Sequence, residues 1–460
     1  MLPAGARDRF EDVVGPLGCL DSPEELEIYG YDGGVDRHPP DLVLFPSSVE
    51  DVAAIARIAC ELKIPLVGRG ASTGLSGGAV PCHGGVVVAF ARMNRILEID
   101  LENERAIVEP GVVNLDITAA VEDRGFCFAP DPSSRRACTI GGNVAANAGG
   151  AHAPACGVTA SHVLGLEFVL PGGAIVQTGG KEVDLPGYDL TGVVTGSEGV
   201  LALVTKVIVR LTRKPESART ALAIFESVEA ALGAVSKIAA RAIQPAALEL
   251  IDSPMLRIIE EATHAGYPTD APAALLVGLE GMRERVEEKV KRVREVCVLC
   301  GARDYHLART PEERDLLWKG RNDAFGAVGR LSPACLVPDG VVPRTEIAAM
   351  LGFIGEVSGR CGLVIGNIVH ACEGHLLPVI FFDPRRPGDP EKARAAAQEI
   401  LVACIRAGGS ITGEHGVGMQ KLGLMGSFFS EDSLGVMRSL KRMFDPAGIL
   451  NPGKALPAGD

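Results

Sequence analysis

The alternation of apolar and polar residues predicts secondary structure along the whole chain. Ser48-Val-Glu-Asp51 is typical of a helix start, and apolar residues recur at helical spacing as far as Leu62. Pro65 is expected to end this helix, and a second helix is expected over 114–124. Short apolar runs predict strands at 86–90, 96–101, 106–109, 163–170 and 174–178.

The pattern of predicted elements changes around Lys214: glycine-rich turns precede it, and alternating strands and helices follow it. The elements expected beyond it are strands near 220–225 and 246–251, helices over 228–242 and 279–296, and a helix capped by Thr310. A chain of 460 residues exceeds one ordinary core, so we expect two domains, 1–214 and 215–425, and a C-terminal segment, 426–460.

Composition excludes several classes of partner. The net charge of −13 argues against nucleic acid and against an anionic membrane surface. The sequence shows neither a signal-peptide pattern nor an apolar run long enough to span a membrane, so we expect a cytoplasmic protein. Of the twelve cysteines, Cys297 and Cys300 alone form a C-x-x-C pair, whereas an iron–sulfur cluster needs about four ligands. Any such cluster is therefore expected on another polypeptide.

The loop at 64–78 carries the strongest local signal. Five glycines and three hydroxyl residues follow a short apolar run, and such a backbone can wrap an anion such as pyrophosphate. The spacing of Gly68, Gly70 and Gly74 does not fit the NAD fingerprint, and the chain continues into a strand rather than a helix. Taken alone, the loop is equally consistent with a structural turn.

Two further glycine-rich segments follow. Residues 139–150 hold four glycines and two asparagines, which suits a close approach of backbone to a polar ligand. Residues 196–199 form a third glycine turn, which leads into a predicted strand that ends at Leu211.

Together these segments resemble the FAD-linked oxidases of the vanillyl-alcohol-oxidase superfamily, and the nearest branch is the D-lactate dehydrogenase and glycolate oxidase flavoprotein-subunit family. The motifs that carry the resemblance are Arg69-Gly-Ala-Ser-Thr-Gly-Leu-Ser-Gly77, Asp131-Pro-Ser-Ser134, Thr139-Ile-Gly-Gly-Asn143, Asn147-Ala-Gly-Gly150, Gly187-Tyr-Asp-Leu-Thr-Gly192, Gly196-Ser-Glu-Gly199, Thr412-Gly-Glu-His-Gly-Val-Gly418 and Asn451-Pro-Gly-Lys454. The resemblance implies an α+β protein, with a PCMH-type FAD-binding domain and a cap domain of antiparallel sheet flanked by helices.

The resemblance also implies which residues hold FAD, bound non-covalently. The loop 69–77 would cradle the pyrophosphate, and the other segments would line the flavin. The implied cofactor-binding residues are Arg69, Gly70, Ala71, Ser72, Thr73, Gly74, Leu75, Ser76, Gly77, Pro132, Ser133, Thr139, Gly142, Asn143, Gly199, Val204 and Asn451.

Oxidation of a 2-hydroxy acid requires a base for the hydroxyl proton and a cation for the carboxylate. The candidate base is His415, which stands between Glu414 and Gly416 on a glycine turn and titrates in a useful range. The candidate carboxylate partner is Arg321, whose guanidinium fork matches a carboxylate and which lies one helical turn from Trp318.

The expected metal site departs from the family pattern. Metal-dependent relatives carry His-x-Gly-Asp-Gly-Asn-x-His, followed later by a glutamate ligand. Here His370 and Glu414 match two of the ligands, but Leu377 replaces the second histidine. Either His375 replaces the missing ligand for a divalent ion (Zn, Mn or Fe), or metal affinity is lost and the histidines bind substrate.

The leading hypothesis is therefore an FAD-dependent dehydrogenase for a small 2-hydroxy acid, D-lactate or glycolate. Electrons would pass to an iron–sulfur subunit or an electron-transfer flavoprotein, which could hold the protein peripherally at the inner membrane. The alternative is a flavin-binding relay or structural subunit with little chemistry of its own. The ether-lipid synthase branch is disfavoured because the sequence lacks consecutive histidines. The sequence leaves the oligomeric state open, a homo-oligomer included.

Overall fold

The computed structural model describes residues 2–181, 186–330 and 332–459. The chain divides into two compact units. The first unit comprises the residues up to Gly149, Gly157–Lys214 and the residues from Glu414 onward. The second unit comprises Gly150–Cys156 and Pro215–Gly413. The predicted boundary after residue 425 is therefore too late, because the backbone from Gly416 onward is already hydrogen-bonded to the first unit.

Helices and strands are distributed over both units. The helices are α1 (Ala6–Val14), α2 (Pro23–Ile28), α3 (Val49–Leu62), α4 (Asn114–Ala119), α5 (Ile140–Ala146), α6 (Ala153–Cys156), α7 (Leu190–Val194), α8 (Val228–Ala240), α9 (Ser253–Thr263), α10 (Arg283–Leu299), α11 (Pro311–Asn322), α12 (Ala324–Val328), α13 (Ile347–Cys361), α14 (Asp389–Arg406), α15 (Met425–Phe428) and α16 (Glu431–Phe444). The strands are β1 (Cys19–Leu20), β2 (Leu42–Leu44), β3 (Leu66–Arg69), β4 (Val86–Ala89), β5 (Ile96–Asp100), β6 (Arg105–Val108), β7 (Phe126–Cys127), β8 (Val163–Val169), β9 (Ile175–Gly179), β10 (Leu203–Arg210), β11 (Thr212–Arg213), β12 (Ser217–Phe225), β13 (Ala247–Asp252), β14 (Ala273–Gly281), β15 (Ala302–Leu307), β16 (Ala334–Leu336), β17 (Ile365–His370) and β18 (His375–Phe382).

The described part of the first unit contains two main sheets. One has the order β1-β2-β4-β3, with β2 and β3 both parallel to β4, and its core packs against α1 and α3. The other is antiparallel in the order β5-β6-β10-β8-β9, and its core includes Ile140 and Val144 of α5. Two of the three glycine-rich segments therefore include well-packed elements: 64–78 contains β3, and 139–150 contains α5.

The second unit is built on an antiparallel sheet in the order β15-β12-β14-β13-β17-β18-β16. Strand β14 lies between β12 and β13, and its residues from Ala273 to Leu279 are all buried. The α+β class expected from the sequence is confirmed by this mixture of sheets and helices.

Local signals located several elements correctly. The Ser48 hydroxyl accepts the Asp51 N–H at 3.1 Å at the start of α3, and Thr310 caps α11 in the same way at 3.2 Å. Strands β8 and β9 pair as predicted.

Two helix predictions were wrong in extent. The helix expected over 114–124 ends at Ala119, and a separate 3₁₀ turn at Glu122–Arg124 follows it. The helix expected over 279–296 begins only at Arg283, because the apolar run before it forms the buried strand β14.

Candidate active site and cofactor-binding loops

The glycine loop of the first unit joins β3 to β4, so it connects two strands as the sequence indicated. A Cβ placed on Gly70 would lie 2.2 Å from Thr139 Oγ1, so the loop backbone rests directly on the start of α5. By contrast, a Cβ on Gly74 or Gly78 would meet no described atom within 4 Å. The loop thus has one face packed on protein and one face with open space beside it.

Two buried polar atoms of this region have no hydrogen-bond partner among the described residues. They are the hydroxyl oxygen of Ser72 and the side-chain oxygen of Asn451. Ser72 also adopts a left-handed backbone conformation with φ 54°, which costs free energy for a residue with a side chain. Buried polar groups are normally paired, so both atoms fit a bound polar ligand: the Ser72 hydroxyl can donate to an anion such as the FAD pyrophosphate, whereas the Asn451 oxygen can only accept and needs a donor group.

The Arg69 side chain makes its hydrogen bonds to the protein backbone. Its guanidinium is buried and donates to the carbonyl oxygens of Ile28, Tyr29 and Tyr31 at 2.9–3.2 Å. Its charge also lies over the Tyr29 ring, at 5.1 Å from the centroid. The side chain therefore fastens the N-terminal segment to β3.

The second glycine segment, 139–150, contains the whole of α5. Thr139 is its N-cap, and the Oγ1 atom accepts the Gly142 N–H at 3.4 Å. The buried Asn143 side chain accepts a hydrogen bond from Asn114 Nδ2 at 2.9 Å. Asn143 thereby supports the local backbone, while Pro132 and Ser133 lie in the segment between β7 and α5.

Three further predicted cofactor residues of this unit are Gly199, Asn451 and Val204. Gly199 has φ +73°, and Asn451 Nδ2 donates to the carbonyl oxygens of Gly78 and Glu198 at 3.0 and 2.8 Å. Val204 lies in β10 beside a register shift against β8, where a strand's backbone groups leave the regular ladder. Asn451 thus joins the glycine loop to the 196–199 turn.

His415 lies on the segment that returns to the first unit, and both its side chain and that of Glu414 are largely buried. Glu414 Oε1 lies 3.6 Å from His415 Nε2. Directly after the histidine, the carbonyl oxygen of Gly416 accepts the Ser76 hydroxyl at 3.1 Å. The predicted base is therefore held next to the glycine loop within one unit.

Arg321 of the second unit belongs to a buried group of three charged or titratable side chains. Its Nε donates to Glu249 Oε2 at 2.8 Å, and the other carboxylate oxygen of Glu249 lies 2.6 Å from His370 Nδ1. Burial raises the pKa of Glu249, but the charges and hydrogen bonds of His370 and Arg321 outweigh burial and lower it to about 2. Glu249 is thus an ionised carboxylate that fixes both neighbours.

Trp318 and Arg321 both reach towards the sheet of the second unit, as their spacing predicted. The Trp318 indole N–H donates to Thr220 Oγ1 on β12 at 2.9 Å, whereas Arg321 binds Glu249 on β13.

His370 and His375 are direct partners across β17 and β18, without a bulge between them. Both side chains are buried, and their ring centroids lie 5.0 Å apart. Nε2 of His375 has no hydrogen-bond partner among the described residues. Leu377 pairs with Ile368 and is fully buried. The structure therefore brings two of the three expected metal ligands together in one unit.

The segment that precedes Glu414 packs against the His375 ring. A Cβ on Gly413 would lie 2.4 Å from the His375 ring, so only glycine allows this approach. The Gly413 N–H and the Thr412 hydroxyl both donate to the buried Asp339 carboxylate, at 3.1 and 3.0 Å. Glu414 is the next residue along the chain.

Sequence reasoning missed three carboxylates at these sites. Glu249 lies between two leucines in a buried strand, which is itself a signal of a paired buried charge. Glu198 lay inside a quoted motif but was given no role, and Asp339 follows a proline in a loop with no local signal.

No helix of residues 2–181, 186–330 and 332–459 combines the length and apolar character that a membrane crossing requires.

Comparisons with known proteins identify the domains in which these residues lie. Residues 40–179 match the family described as "FAD binding domain", and residues 214–455 match "FAD linked oxidases, C-terminal domain". A glycolate oxidase subunit, GlcD, of Escherichia coli K12 is 43% identical over 97% of this chain and 90% of its own length. A D-lactate dehydrogenase of Anaerostipes hadrus is 31% identical over 94% of this chain and 91% of its own length.

A solved structure shares the fold. The 4-ethylphenol oxidase of Gulosibacter chungangensis superposes with a TM-score of 0.81 at 21% identity and covers 99% of both chains. That likeness concerns the fold alone, and it confirms the two-domain PCMH-type architecture expected from the sequence. The matched families and the full-length relatives together show that this chain belongs to the FAD-linked oxidases.

Proposed function

We propose that this protein is an FAD-dependent dehydrogenase that oxidises a small 2-hydroxy acid, D-lactate or glycolate, to the 2-oxo acid. The observation that carries the proposal is the likeness of 97% of the chain to a glycolate oxidase subunit at 43% identity. A D-lactate dehydrogenase is similar over nearly the same length, which supports the substrate class and leaves both acids as candidates.

In this proposal the loop 69–77 and the start of α5 hold the cofactor. FAD, when bound, accepts the hydride that leaves Cα of the substrate. The loop backbone and the Ser72 hydroxyl donate to the pyrophosphate, whose oxygens only accept hydrogen bonds, and the Asn451 oxygen accepts from a donor group elsewhere on the cofactor. The unpaired buried atoms of these two residues support this assignment.

His415 takes the hydroxyl proton of the substrate at an imidazole nitrogen. A histidine suits this step because its ordinary pKa lies near the working pH. The position of His415 on a turn that is hydrogen-bonded to the glycine loop supports the assignment.

Arg321 orients the substrate carboxylate. Its pair with Glu249 holds the guanidinium still, but the same carboxylate offsets one positive charge. The attraction for the substrate therefore depends on a second cation close to His370. A divalent ion would supply that charge, and this makes the metal question part of the proposed chemistry.

We propose that His370, His375 and Glu414 hold this divalent ion, so that His375 replaces the ligand lost at Leu377. The paired buried rings support the proposal. So does Nε2 of His375, which has no hydrogen-bond partner among the described residues and lies 3.8 Å from Asp339 Oδ2. Glu249 holds Nδ1 of His370, as a carboxylate commonly does for a metal-bound histidine, and the other nitrogen, Nε2, lies 3.5 Å from the Arg321 guanidinium. Zn²⁺, Mn²⁺ and Fe²⁺ all accept such ligands.

We further propose that electrons leave through a partner, an iron–sulfur subunit or an electron-transfer flavoprotein. The relative named a glycolate oxidase subunit supports a multi-subunit assembly. Such a partner could hold a cytoplasmic protein peripherally at a membrane.

A second function is favoured by one observation, the leucine at position 377. If this change abolishes substrate chemistry, the chain acts as a flavin-binding relay or structural subunit. An anaerobic experiment separates the two functions: the purified yellow protein is mixed with glycolate, D-lactate or D-2-hydroxyglutarate, and bleaching of the flavin absorbance is followed. We expect at least one acid to bleach the flavin. Absence of bleaching with all three would favour the relay function.

Gly70→Ala is expected to weaken FAD binding, because the added Cβ would lie 2.2 Å from Thr139 Oγ1. Either the loop shifts or Thr139 loses its capping hydrogen bond. Loss of a cap costs about 1 kcal/mol, which corresponds to about fivefold in affinity if it falls wholly on FAD binding. The FAD-to-protein ratio after dilution and filtration measures the effect. The control is Gly233→Ala in α8, where a Cβ meets no described atom within 4 Å. Equal FAD retention in both variants would contradict the assignment of the loop.

His415→Ala should retain FAD but reduce the rate of flavin reduction by substrate by roughly 10²–10⁴-fold, the usual loss for an acid–base group. Anaerobic stopped-flow absorbance gives this rate. His38→Ala, at an exposed histidine of the same unit, is the matched control and should keep the wild-type rate. A wild-type rate in His415→Ala would remove this residue from the mechanism.

His375→Ala should abolish stoichiometric metal binding, because two ligands do not hold a catalytic ion when about three protein ligands are required. Chelated protein is reloaded with Zn²⁺, Mn²⁺ or Fe²⁺, dialysed and subjected to elemental analysis. His306→Ala in the same unit is the control and should bind metal as the wild type does. A wild-type protein that is fully active without metal would end the metal proposal.

A further inference from the structure

The turn that follows His415 is held by two groups of the first unit. Ser76 binds it on both sides: its hydroxyl donates to the Gly416 carbonyl oxygen at 3.1 Å, and its carbonyl oxygen accepts the Met419 N–H at 3.0 Å. A Cβ on Gly418 would lie 2.0 Å from the same carbonyl oxygen. The turn and the glycine loop are therefore in direct backbone contact.

Glu198 is the second group that holds this turn. Its two carboxylate oxygens accept the N–H groups of Val417 and Gly418 at 2.8 and 2.6 Å. Hydrogen bonds to an ionised group are about twice as strong as neutral ones. A Cβ on Gly416 would lie 2.8 Å from Glu198 Oε1, so a side chain at this position would displace the carboxylate, and the φ of +78° also favours glycine.

The backbone of Glu198 is itself strained and firmly tied. Its φ of 53° is left-handed, a conformation that is unfavourable for a residue with a side chain. Its N–H donates to the Ala145 carbonyl oxygen, and its own carbonyl oxygen accepts Asn451 Nδ2, both at 2.8 Å. Strain of this kind persists where the surrounding contacts enforce it, and it is concentrated at functional sites.

We propose that Glu198 is the positioning residue for His415. The carboxylate fixes the turn that carries the base, and it does so from a backbone anchored to Asn451 and α5, which the proposed function assigns to FAD binding. This inference rests on the proposed role of His415. A base displaced by about 1 Å loses on the order of 10²-fold in rate, so two hydrogen bonds to this turn matter for the proton transfer.

Glu198→Gln is the sharpest substitution, because the amide has one acceptor oxygen and its NH₂ group would face the second N–H donor. Gly416→Ala disturbs the same contact from the other side and keeps the carboxylate. Glu102→Gln, at an exposed glutamate of the same unit, is the matched control. All variants are reconstituted with saturating FAD, and rates are normalised to bound flavin.

A double-mutant cycle tests whether Glu198 acts through His415. Flavin reduction by glycolate or D-lactate is measured in Glu198→Gln, His415→Ala and the double variant. We expect Glu198→Gln to lose roughly 10- to 10²-fold in the wild-type background. In the His415→Ala background we expect less than about a twofold loss, since coupled residues are not additive. Gly416→Ala should likewise reduce the rate only when His415 is present. It replaces Glu198→Gln in the double-mutant cycle if that variant does not fold.

Three outcomes would overturn the inference: a wild-type rate in Glu198→Gln, an equal loss in both backgrounds, or a wild-type rate in His415→Ala. The last of these also removes the proposed base. A readout independent of turnover separates the two proposals. Carbethoxylation of His415 by diethyl pyrocarbonate, followed by mass spectrometry, should change in rate in Glu198→Gln and not in Glu102→Gln. If no acid bleaches the flavin, the proposed function fails, whereas this rate still decides the role of Glu198.

Discussion

Close approach between backbone and neighbouring groups is the constraint on which both candidate sites depend. This approach requires glycine, which has no Cβ. A methyl group on Gly70 would lie 2.2 Å from Thr139 Oγ1, and one on Gly418 would lie 2.0 Å from the Ser76 carbonyl oxygen. In the second unit the same condition holds for Gly413 against the His375 ring, at 2.4 Å. Glycine motifs far apart in the sequence therefore have a common physical reason. Each marks a place where a segment must touch the next one directly before a ligand can be held.

The second unit relies on a different device, a buried carboxylate that serves two partners. Glu249 binds Arg321 with one oxygen and His370 with the other, and all three side chains are almost fully buried. Removing one member of such a group typically costs 3–5 kcal/mol, because the remaining charge is left buried and unpaired. The net contribution of such a group to stability is nevertheless small, because the cost of removing the charges from water offsets their attraction. What the group does provide is a fixed orientation of its side chains. It fixes the guanidinium plane and the imidazole ring together, which is what a site for an anionic substrate requires.

The sequence predicted the features that have local causes. Ser48 and Thr310 cap their helices within three residues, and the turn between β8 and β9 joins neighbouring strands, so short segments contain the whole signal. The residues that were missed act over long separations: Glu249 meets Arg321 across 72 positions, and Glu198 meets Val417 across 219. Strand β14 was not predicted, and its last three residues were included in the helix expected over 279–296, because a run buried on both faces has no alternation to distinguish it. Family resemblance supplied the roles of His415 and Arg321, which no local pattern determines.

The register of β17 and β18 bears directly on the replacement at Leu377. Residues 375 and 377 lie on the same face of β18, but only residue 375 is paired with His370. A histidine at 375 is therefore closer to His370 than one at 377, and it needs no bulge to reach it. The His375 ring occupies the space that a side chain at position 413 would need, so this position is restricted to glycine. If His375 is the substitute ligand, glycine at 413 is a condition of that substitution, and Gly413→Ala should disturb metal binding as His375→Ala does.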